Sequence, residues 1–201
     1  MRFIIIVLLG LSIWGVYNIS TSNIKFSEDA DIYDVFNKEE IYIIDSLADR
    51  RIKTKYEVKN IAIHCTASQN NRPLTKAELD RIFRERGWIV NGKVIWGYQF
   101  IINPNGDVIS SVTNLQPNYI TASQVRYGVA GYNHSTINIA WAGGIDKKDK
   151  RTPQQKSKLI ELITQMKKLY PKAVVKSHYQ FPNVNKTCAN FDAYEEYKNI
   201  K

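Results

Sequence analysis

Three side chains that can bind a metal ion are spread over the chain: His64, His178 and Cys188. His64 stands in the stretch NIAIHCTAS, whereas nine residues separate His178 from Cys188 in SHYQFPNVNKTC. Zinc prefers nitrogen and sulfur ligands in a tetrahedral array, and a catalytic zinc leaves its fourth position to water. The residue types therefore allow a catalytic zinc site, provided that the fold brings the three side chains together.

The same residues have two other interpretations. The chain has two cysteines, Cys65 and Cys188, and an even number of cysteines in an exported protein favours a disulfide. Each histidine is otherwise an ordinary residue at the end of a strand. If Cys188 binds a metal, it cannot pair with Cys65. We expect the Cys65 side chain on the opposite face of the strand from His64, as a small buried apolar residue.

The elements that must position these side chains alternate between strands and helices. A short apolar run at 61–64 predicts a buried strand that ends at the first histidine, and AVVKSH predicts a strand that leads to the second. STINIAWAGG predicts a further strand, and WGYQFIINPNGDVISSV predicts a hairpin. This order predicts an α/β fold with a central mixed sheet flanked by helices. Both imidazoles emerge at one sheet edge if their strands are neighbours.

The two predicted helices carry recognisable start signals. Thr75 and Glu78 form a capping box before the first helix, and Gly87 is its predicted stop. Thr152 and Gln155 form the same box before the second helix, with a proline at its first position. The core-facing stripe predicted for this second helix consists of Leu159, Leu162, Ile163, Met166 and Tyr170.

The N-terminal residues have the character of an export signal. The apolar run at 3–17 is shorter than the roughly 20 residues of a membrane-spanning helix, and it suits the hydrophobic part of a signal peptide. We expect residues 1–22 to be a signal peptide or an uncleaved anchor helix, with a helix buried in the fold as the alternative. Residues 23–59 are then a spacer with a local packing element, and residues 60–201 are the main domain. The domain is expected to be exported, in the periplasm or the cell envelope, where an uncleaved N-terminal segment would attach it to the membrane.

The charge of the chain favours an anionic partner. The formal net charge is +9 and the sequence pI is about 9.4. Nucleic acid, a membrane surface and the bacterial cell wall all carry negative charge. No basic run interleaved with aromatic residues indicates a nucleic-acid groove, so we expect no nucleic-acid partner.

From about residue 60 to residue 194, the chain resembles the zinc-dependent N-acetylmuramoyl-L-alanine amidases of the phage-lysozyme and peptidoglycan-recognition superfamily. Five motifs carry the resemblance, in this order: IAIHCTAS, GWIVNGKVIWGYQFIINPNGDV, AGYNHSTINIAWAGGID, RTPQQ and SHYQFPNVNKTCANFD. The resemblance implies a peptidoglycan hydrolase that uses zinc-activated water to cleave the amide between N-acetylmuramic acid and L-alanine.

The resemblance also implies roles for individual residues. It makes His64, His178 and Cys188 the zinc ligands, and it places Tyr98 and Lys186 at the family's active-site tyrosine and lysine. Tyr98 would then orient the attacking water, and Lys186 would stabilise the oxyanion. We expect a monomer that binds peptidoglycan.

The chain departs from the family pattern at several positions. Gln99 and Gly128 stand where the family often has histidine, and Asn138 replaces a glycine. Gln180 replaces an acidic residue near the second histidine, and Ala189 replaces the proline after the cysteine. None of these changes removes a predicted ligand, whereas those at 128 and 180 bear on substrate contacts or on support of the ligands.

Two non-catalytic functions compete with the enzyme. Some superfamily members recognise peptidoglycan without cleaving it, and they typically lack the cysteine ligand. The presence of Cys188 therefore favours hydrolysis. A membrane-tethered protein-interaction domain is the other alternative, and it predicts no affinity for muropeptides.

Overall fold

The computed structural model describes residues 54–200. The predicted signal or anchor helix at 1–22, and the spacer up to residue 53, lie outside these residues. In chain order, the strands are β1 (Lys55–Glu57), β2 (Asn60–Cys65), β3 (Ile89–Val90), β4 (Lys93–Val94), β5 (Phe100–Ile102), β6 (Val108–Ser110), β7 (Tyr119–Thr121), β8 (Thr136–Trp141) and β9 (Val174–Ser177). The α-helices are α1 (Lys76–Glu85), α2 (Pro153–Leu169) and α3 (Ala193–Tyr197).

A five-stranded mixed sheet forms the centre of the fold, in the order β6-β5-β8-β2-β9. β2 runs parallel to both of its neighbours, β8 and β9, and β5 runs parallel to β8. The hairpin partner β6 is antiparallel to β5. Two small antiparallel sheets, β1 with β7 and β3 with β4, lie outside this sheet. The predicted α/β fold with a central mixed sheet is confirmed.

The two faces of the central strands differ in chemistry. On one face, Ile61 and Ile63 of β2 pack with Ile137 and Ile139 of β8 in the core that α2 covers. Full burial of one such side chain contributes about 1.5–3 kcal/mol. Because side chains alternate along a strand, residues such as His64 project from the opposite face. The large apolar core therefore supports one side of the sheet. On the other side, a smaller apolar cluster packs Ile101 and Ala140 against Leu79 and Phe83 of α1, and polar groups such as His64 lie beside it.

The helices begin where their capping sequences predict. The Thr75 hydroxyl accepts the Glu78 amide hydrogen at the start of α1, and Thr152 and Gln155 form the same reciprocal box at the start of α2. α1 ends at its predicted stop, since Gly87 has a φ of +73° that favours glycine. All five residues of the predicted core-facing stripe of α2 are buried.

The loop between the paired strands β5 and β6 has the predicted turn. The Asn103 amide donates to the Asp107 carbonyl at 2.8 Å, and Gly106 takes a φ of +91° between them. Within residues 54–200, no helix has both the length and the apolar character needed to cross a membrane.

Candidate metal centre

The sheet topology places the two predicted histidine ligands side by side. β2 and β9 are parallel neighbours, and their last aligned pair is Ile63 with Ser177. His64 and His178 each follow that pair by one residue. Their rings lie 4.6 Å apart, centroid to centroid, at one edge of the sheet. The prediction that both imidazoles emerge at the same edge is confirmed.

Hydrogen bonds hold Cys188 at the same edge of the sheet. The Tyr179 amide donates to the Cys188 carbonyl at 2.7 Å, so the loop closes just after the second histidine. The Cys65 amide donates to the Cys188 Sγ at 3.1 Å. Beyond the cysteine, the Asn190 side chain donates to the Gly144 carbonyl at 3.1 Å. The thiol is therefore held against the end of β2, although its loop is long.

The three side chains form a group with the dimensions of a metal site. Three potential ligand atoms, one from each residue, lie within 4.8 Å of one another; the residues are His64, His178 and Cys188. The distance from His64 Nδ1 to Cys188 Sγ is 3.7 Å. A tetrahedral zinc ion, with bonds of about 2.3 Å to sulfur and about 2.0–2.1 Å to nitrogen, separates such a pair by about 3.6 Å. The donor set and this spacing both fit zinc.

The electrostatics of the group favour neutral imidazoles. Burial, and then the neighbouring His178, lower the pKa of His64 to about 3. Burial, and then the charge of Lys186, lower the pKa of His178 to about 4. Both rings are therefore uncharged at neutral pH, which is the form that binds metals.

The thiol of Cys188 has to lose its proton to bind a metal. The adjacent Cys65 thiol and burial raise the pKa of Cys188, whereas the Cys65 backbone amide and Lys186 act in the opposite direction. An amide hydrogen bond to sulfur stabilises the thiolate form. The surroundings thus include two groups that favour a metal-binding thiolate.

The two predicted active-site residues stand beside the group in different ways. The Tyr98 ring lies 5.1 Å from the His64 ring and packs edge-on against Phe83. Burial, and then the negative charge of Cys188, raise the pKa of Tyr98, so its hydroxyl stays protonated. The Lys186 side chain is exposed, and its charge lowers the pKa of both histidines.

The structure also bears on the two predictions about the cysteines, which are the alternative of a disulfide and the burial of Cys65. Cys65 and Cys188 are both free, so the structure contains no disulfide between them. Cys65 is buried, as predicted, and the Cys188 thiol contacts its backbone amide and carbonyl.

Two polar residues have structural roles at the site, and the sequence predicted a supporting role for Gln180 but none for Asn138. Gln180 accepts the Ser177 amide hydrogen at 2.7 Å and donates to Asp192 at 2.8 Å, which ties the turn that carries His178 to the C-terminal segment. Asn138 accepts a hydrogen bond from His64. The available signal was an asparagine between the isoleucines of an apolar strand, where a buried amide needs a partner.

The protein has an α/β fold, and its mixed central sheet brings two neutral imidazoles and a thiol together at one edge. This arrangement defines a candidate catalytic metal centre. Residues 54–190 match the family described as N-acetylmuramoyl-L-alanine amidase, which is more than half of the chain. The chain therefore belongs to the N-acetylmuramoyl-L-alanine amidase family. The predicted family, and the prediction of an enzyme with this activity, are confirmed.

Individual relatives agree with this assignment. The chain is 29% identical over 150 residues to the endolysin of Enterobacteria phage K11 and 28% identical to that of Escherichia phage T7. Each match covers 73% of this chain and 89% of the relative. The structure of the N-acetylmuramoyl-L-alanine amidase LysC from Clostridium intestinale URNW is similar, with 27% identity, a TM-score of 0.54, and coverage of 73% and 88%.

A more distant structure shares the fold alone. Drosophila PGRP-LB is 18% identical, with a TM-score of 0.50 over 73% of this chain and 85% of that one. The likeness shows that the two proteins share this fold.

Proposed function

We propose that this amidase depends on zinc and that His64, His178 and Cys188 are the zinc ligands. The observation that carries the proposal is the convergence of their three ligand atoms within 4.8 Å. Neutral imidazoles and a cysteine are a donor set that zinc prefers. The proposed substrate is peptidoglycan, cleaved at the amide between N-acetylmuramic acid and L-alanine. The similarity to phage endolysins and to LysC supports this substrate class.

The side chains around the group divide the remaining chemistry between them. When bound, zinc supplies Lewis acidity for the scissile carbonyl and for the attacking water. Tyr98 carries a protonated hydroxyl beside His64, so it can donate a hydrogen bond that orients the water or the carbonyl oxygen. Lys186 provides a positive charge where the amide oxygen becomes negative in the transition state.

The location of the enzyme follows from its substrate. Peptidoglycan lies outside the cytoplasm and is anionic, which fits an exported chain with a formal net charge of +9. We propose that residues 1–22 direct export or attach the chain to the membrane and that residues 60–201 act on the cell envelope as a monomeric amidase. Residues 23–59 then form a spacer with a local packing element, and the end of this spacer pairs with the domain through β1 and β7.

The test uses the full-length chain, defined muropeptides, and identification of the products by mass, with and without a chelator. We expect release of peptides with a free L-alanine amino terminus, and loss of this release when zinc is removed. Cys188→Ala should lose most zinc and nearly all hydrolysis. Cys65→Ala is the matched control, because it keeps the backbone amide that contacts the Cys188 sulfur.

Two outcomes would contradict the proposal. A Cys188→Ala chain that retains full zinc content and full activity would exclude this residue as a ligand. Muropeptide affinity without zinc and without cleavage would instead identify a non-catalytic recognition module.

A further inference from the structure

Three departures from the amidase pattern lie together next to His64, where two of them surround the third, Asn138. Gln99 immediately precedes β5, Asn138 lies in β8, and Gly128 belongs to the loop that approaches Asn138. The side chains of Gln99 and Asn138 are both fully buried. The sequence alone presents these departures as separate changes, but the structure places them together: Gln99 and Asn138 belong to one buried hydrogen-bond network, and Gly128 borders it.

The network reaches His64 through Asn138. The distance from His64 Nε2 to Asn138 Oδ1 is 3.0 Å, and both groups are buried. The other ring nitrogen, Nδ1, faces the Cys188 sulfur at 3.7 Å. A neutral imidazole carries its proton on one nitrogen only, so an amide oxygen beside Nε2 holds the proton there and leaves the Nδ1 lone pair free. This is the tautomer that a metal bound at Nδ1 requires.

Gln99 fixes the strand segment that presents this amide. The Gln99 side-chain Oε1 accepts the Asn138 backbone amide hydrogen at 2.7 Å, and the Gln99 backbone amide donates to the Asn138 backbone carbonyl at 2.9 Å. Its Nε2 donates to the Gln124 carbonyl at 3.1 Å. The backbone of Asn138 is thus held on both its amide and its carbonyl by one residue, which restricts where the side chain can point.

Gly128 leaves the space that the Asn138 side chain occupies. A β-carbon placed on Gly128 would lie 2.2 Å from Asn138 Oδ1 and 2.7 Å from the Gly97 carbonyl oxygen. Such distances are far inside van der Waals contact. A side chain at 128 and an asparagine at 138 therefore exclude each other in this arrangement. The resemblance points the same way, because the family often has a histidine at the first position and a glycine at the second.

We propose that Asn138 is a positioning residue for the metal centre: with Gln99 behind it and the space at Gly128, it holds His64 in the tautomer and orientation that present Nδ1 to the metal. The inference rests on the proposed metal-binding role of His64. Hydrogen-bond partners of this kind typically change metal affinity or activity 10–100-fold when removed.

The first test needs neither zinc nor substrate. Nuclear magnetic resonance of the metal-free full-length chain, labelled in its three histidines, reports which ring nitrogen carries the proton. We expect His64 to be protonated at Nε2 only. In Asn138→Leu, which removes the acceptor, we expect a population protonated at Nδ1, because the Cys188 sulfur lies 3.7 Å from Nδ1 and can accept that proton's hydrogen bond. A wild-type His64 protonated at Nδ1 would overturn the inference without any variant.

The second test measures zinc affinity by competition with a chelator. Asn138→Leu should weaken zinc binding by about 10–100-fold. Asn138→Asp should bind zinc within about threefold of wild type or more tightly. It keeps an acceptor for the Nε2 proton and replaces an Nδ2 that is buried without a partner among residues 54–200, and a negative charge on the new carboxylate would favour a cation nearby. Equal zinc affinity and an equal His64 tautomer in wild type and folded Asn138→Leu would reduce Asn138 to a packing residue.

Thr136→Val is the matched control for these variants. Thr136 is buried on the same strand and the same face, and its hydroxyl donates to the Tyr132 carbonyl at 2.8 Å, away from His64. The control should lower the melting temperature but leave the tautomer and the zinc affinity unchanged. If zinc fails to bind to wild type while His64 is still protonated at Nε2, the proposed function fails and the tautomer assignment stands. If zinc binds normally but substitutions at residue 138 leave the His64 tautomer unchanged, the proposed function stands and the proposed role of Asn138 fails.

Discussion

The two side chains proposed to act beside the metal-binding group are held very differently. Tyr98 packs against Phe83, and its backbone carbonyl accepts a hydrogen bond from the Ser111 hydroxyl at 2.8 Å. Lys186 forms no ion pair and no side-chain hydrogen bond with any residue from 54 to 200, and it lies in the loop before Cys188. The tyrosine is positioned before substrate arrives, whereas the lysine is free to follow a negative charge that develops during the reaction.

Replacement of Lys186 by alanine should therefore separate catalysis from metal binding. We expect Lys186→Ala to fold and to hold zinc, since its side chain supports no described contact. Its turnover should fall by about 10²–10³-fold, the typical loss when one oxyanion-stabilising donor is removed. The measurements are zinc content and the rate of muropeptide cleavage. Lys172→Ala, another exposed lysine, controls for the loss of one positive charge. Unchanged turnover in Lys186→Ala would remove this residue from the mechanism.

At the scale of elements, one helix cap also secures the central sheet. Gln155 accepts the Thr152 amide hydrogen in the capping box of α2. Its Nε2 also donates to the carbonyl oxygens of Ile102 and Ala142, each at 3.0 Å, at the ends of β5 and β8. Because the side chain is buried, no solvent can replace these bonds. The start of α2 is thus fixed to two strands by a single amide.

Replacement of Gln155 by methionine should test this link. The change keeps the volume but removes the donor to the buried Ala142 carbonyl oxygen, and it leaves the Ile102 carbonyl oxygen with the Ala142 amide alone. Such a loss costs about 1–3 kcal/mol. We expect a lower free energy of unfolding in urea and unchanged zinc affinity, because α2 covers the face of the sheet opposite His64. Gln154→Met is the exposed control on the same helical turn. A loss of zinc affinity equal to that of Asn138→Leu would show that the two faces are not independent.

How far the sequence predicted these elements depends on whether their signals are local. The capping boxes at Thr75 and Thr152 depend on residues three positions apart, so both helix starts were predictable. β1, β3, β4 and β7 have only two or three residues each, too few for a periodic pattern. Asn138 shows the same limit at the site: its partner His64 is 74 residues away, and only the pairing of β2 with β8 brings them together.

The metal-binding group was predicted by resemblance more than by spacing. Two histidines and a cysteine spread over more than a hundred residues define no geometry by themselves. The residue types and the strand ends made the group possible, and the five ordered motifs selected it. The tilt of each ring and the nitrogen that faces Cys188 follow from contacts such as that with Asn138, and those contacts depend on tertiary structure.

At the scale of the whole molecule, a buried arginine connects the chain segments around the site. The Arg151 side chain is 1% exposed, and its guanidinium lies 2.8 Å from both Asp149 Oδ2 and Glu196 Oε2. It also donates to the Tyr197 hydroxyl at 2.7 Å and lies over the Phe191 ring. The loop before α2 is thereby joined to α3 and to the segment that follows Cys188. A buried charge is tolerated here because two carboxylates balance it.

This arginine cluster should make the stability of the whole fold sensitive to acid. Burial raises the pKa of Glu196, but hydrogen bonds from Arg151 and Tyr197 and the charge of Arg151 together outweigh it, so the pKa in the folded chain lies below its ordinary value of 4.5. The unfolded chain then takes up this proton at higher pH than the folded chain, and the stabilisation is complete above 4.5 and lost as the pH falls through the folded pKa. Glu196→Gln should be less stable than wild type at neutral pH, and the difference should shrink below 4.5.

The measurement is urea unfolding of both chains from neutral pH down through 4.5, with chelator present throughout. Because other groups titrate in the same range, the informative quantity is the difference between the two chains at each pH. Glu195→Gln is the control, since Glu195 pairs with Lys198 at the surface with 60% of its side chain exposed, where an ion pair contributes little. A difference between wild type and Glu196→Gln that stays constant as the pH falls would mean that Arg151 does not depend on this carboxylate to connect the segment after Cys188 to the rest of the fold.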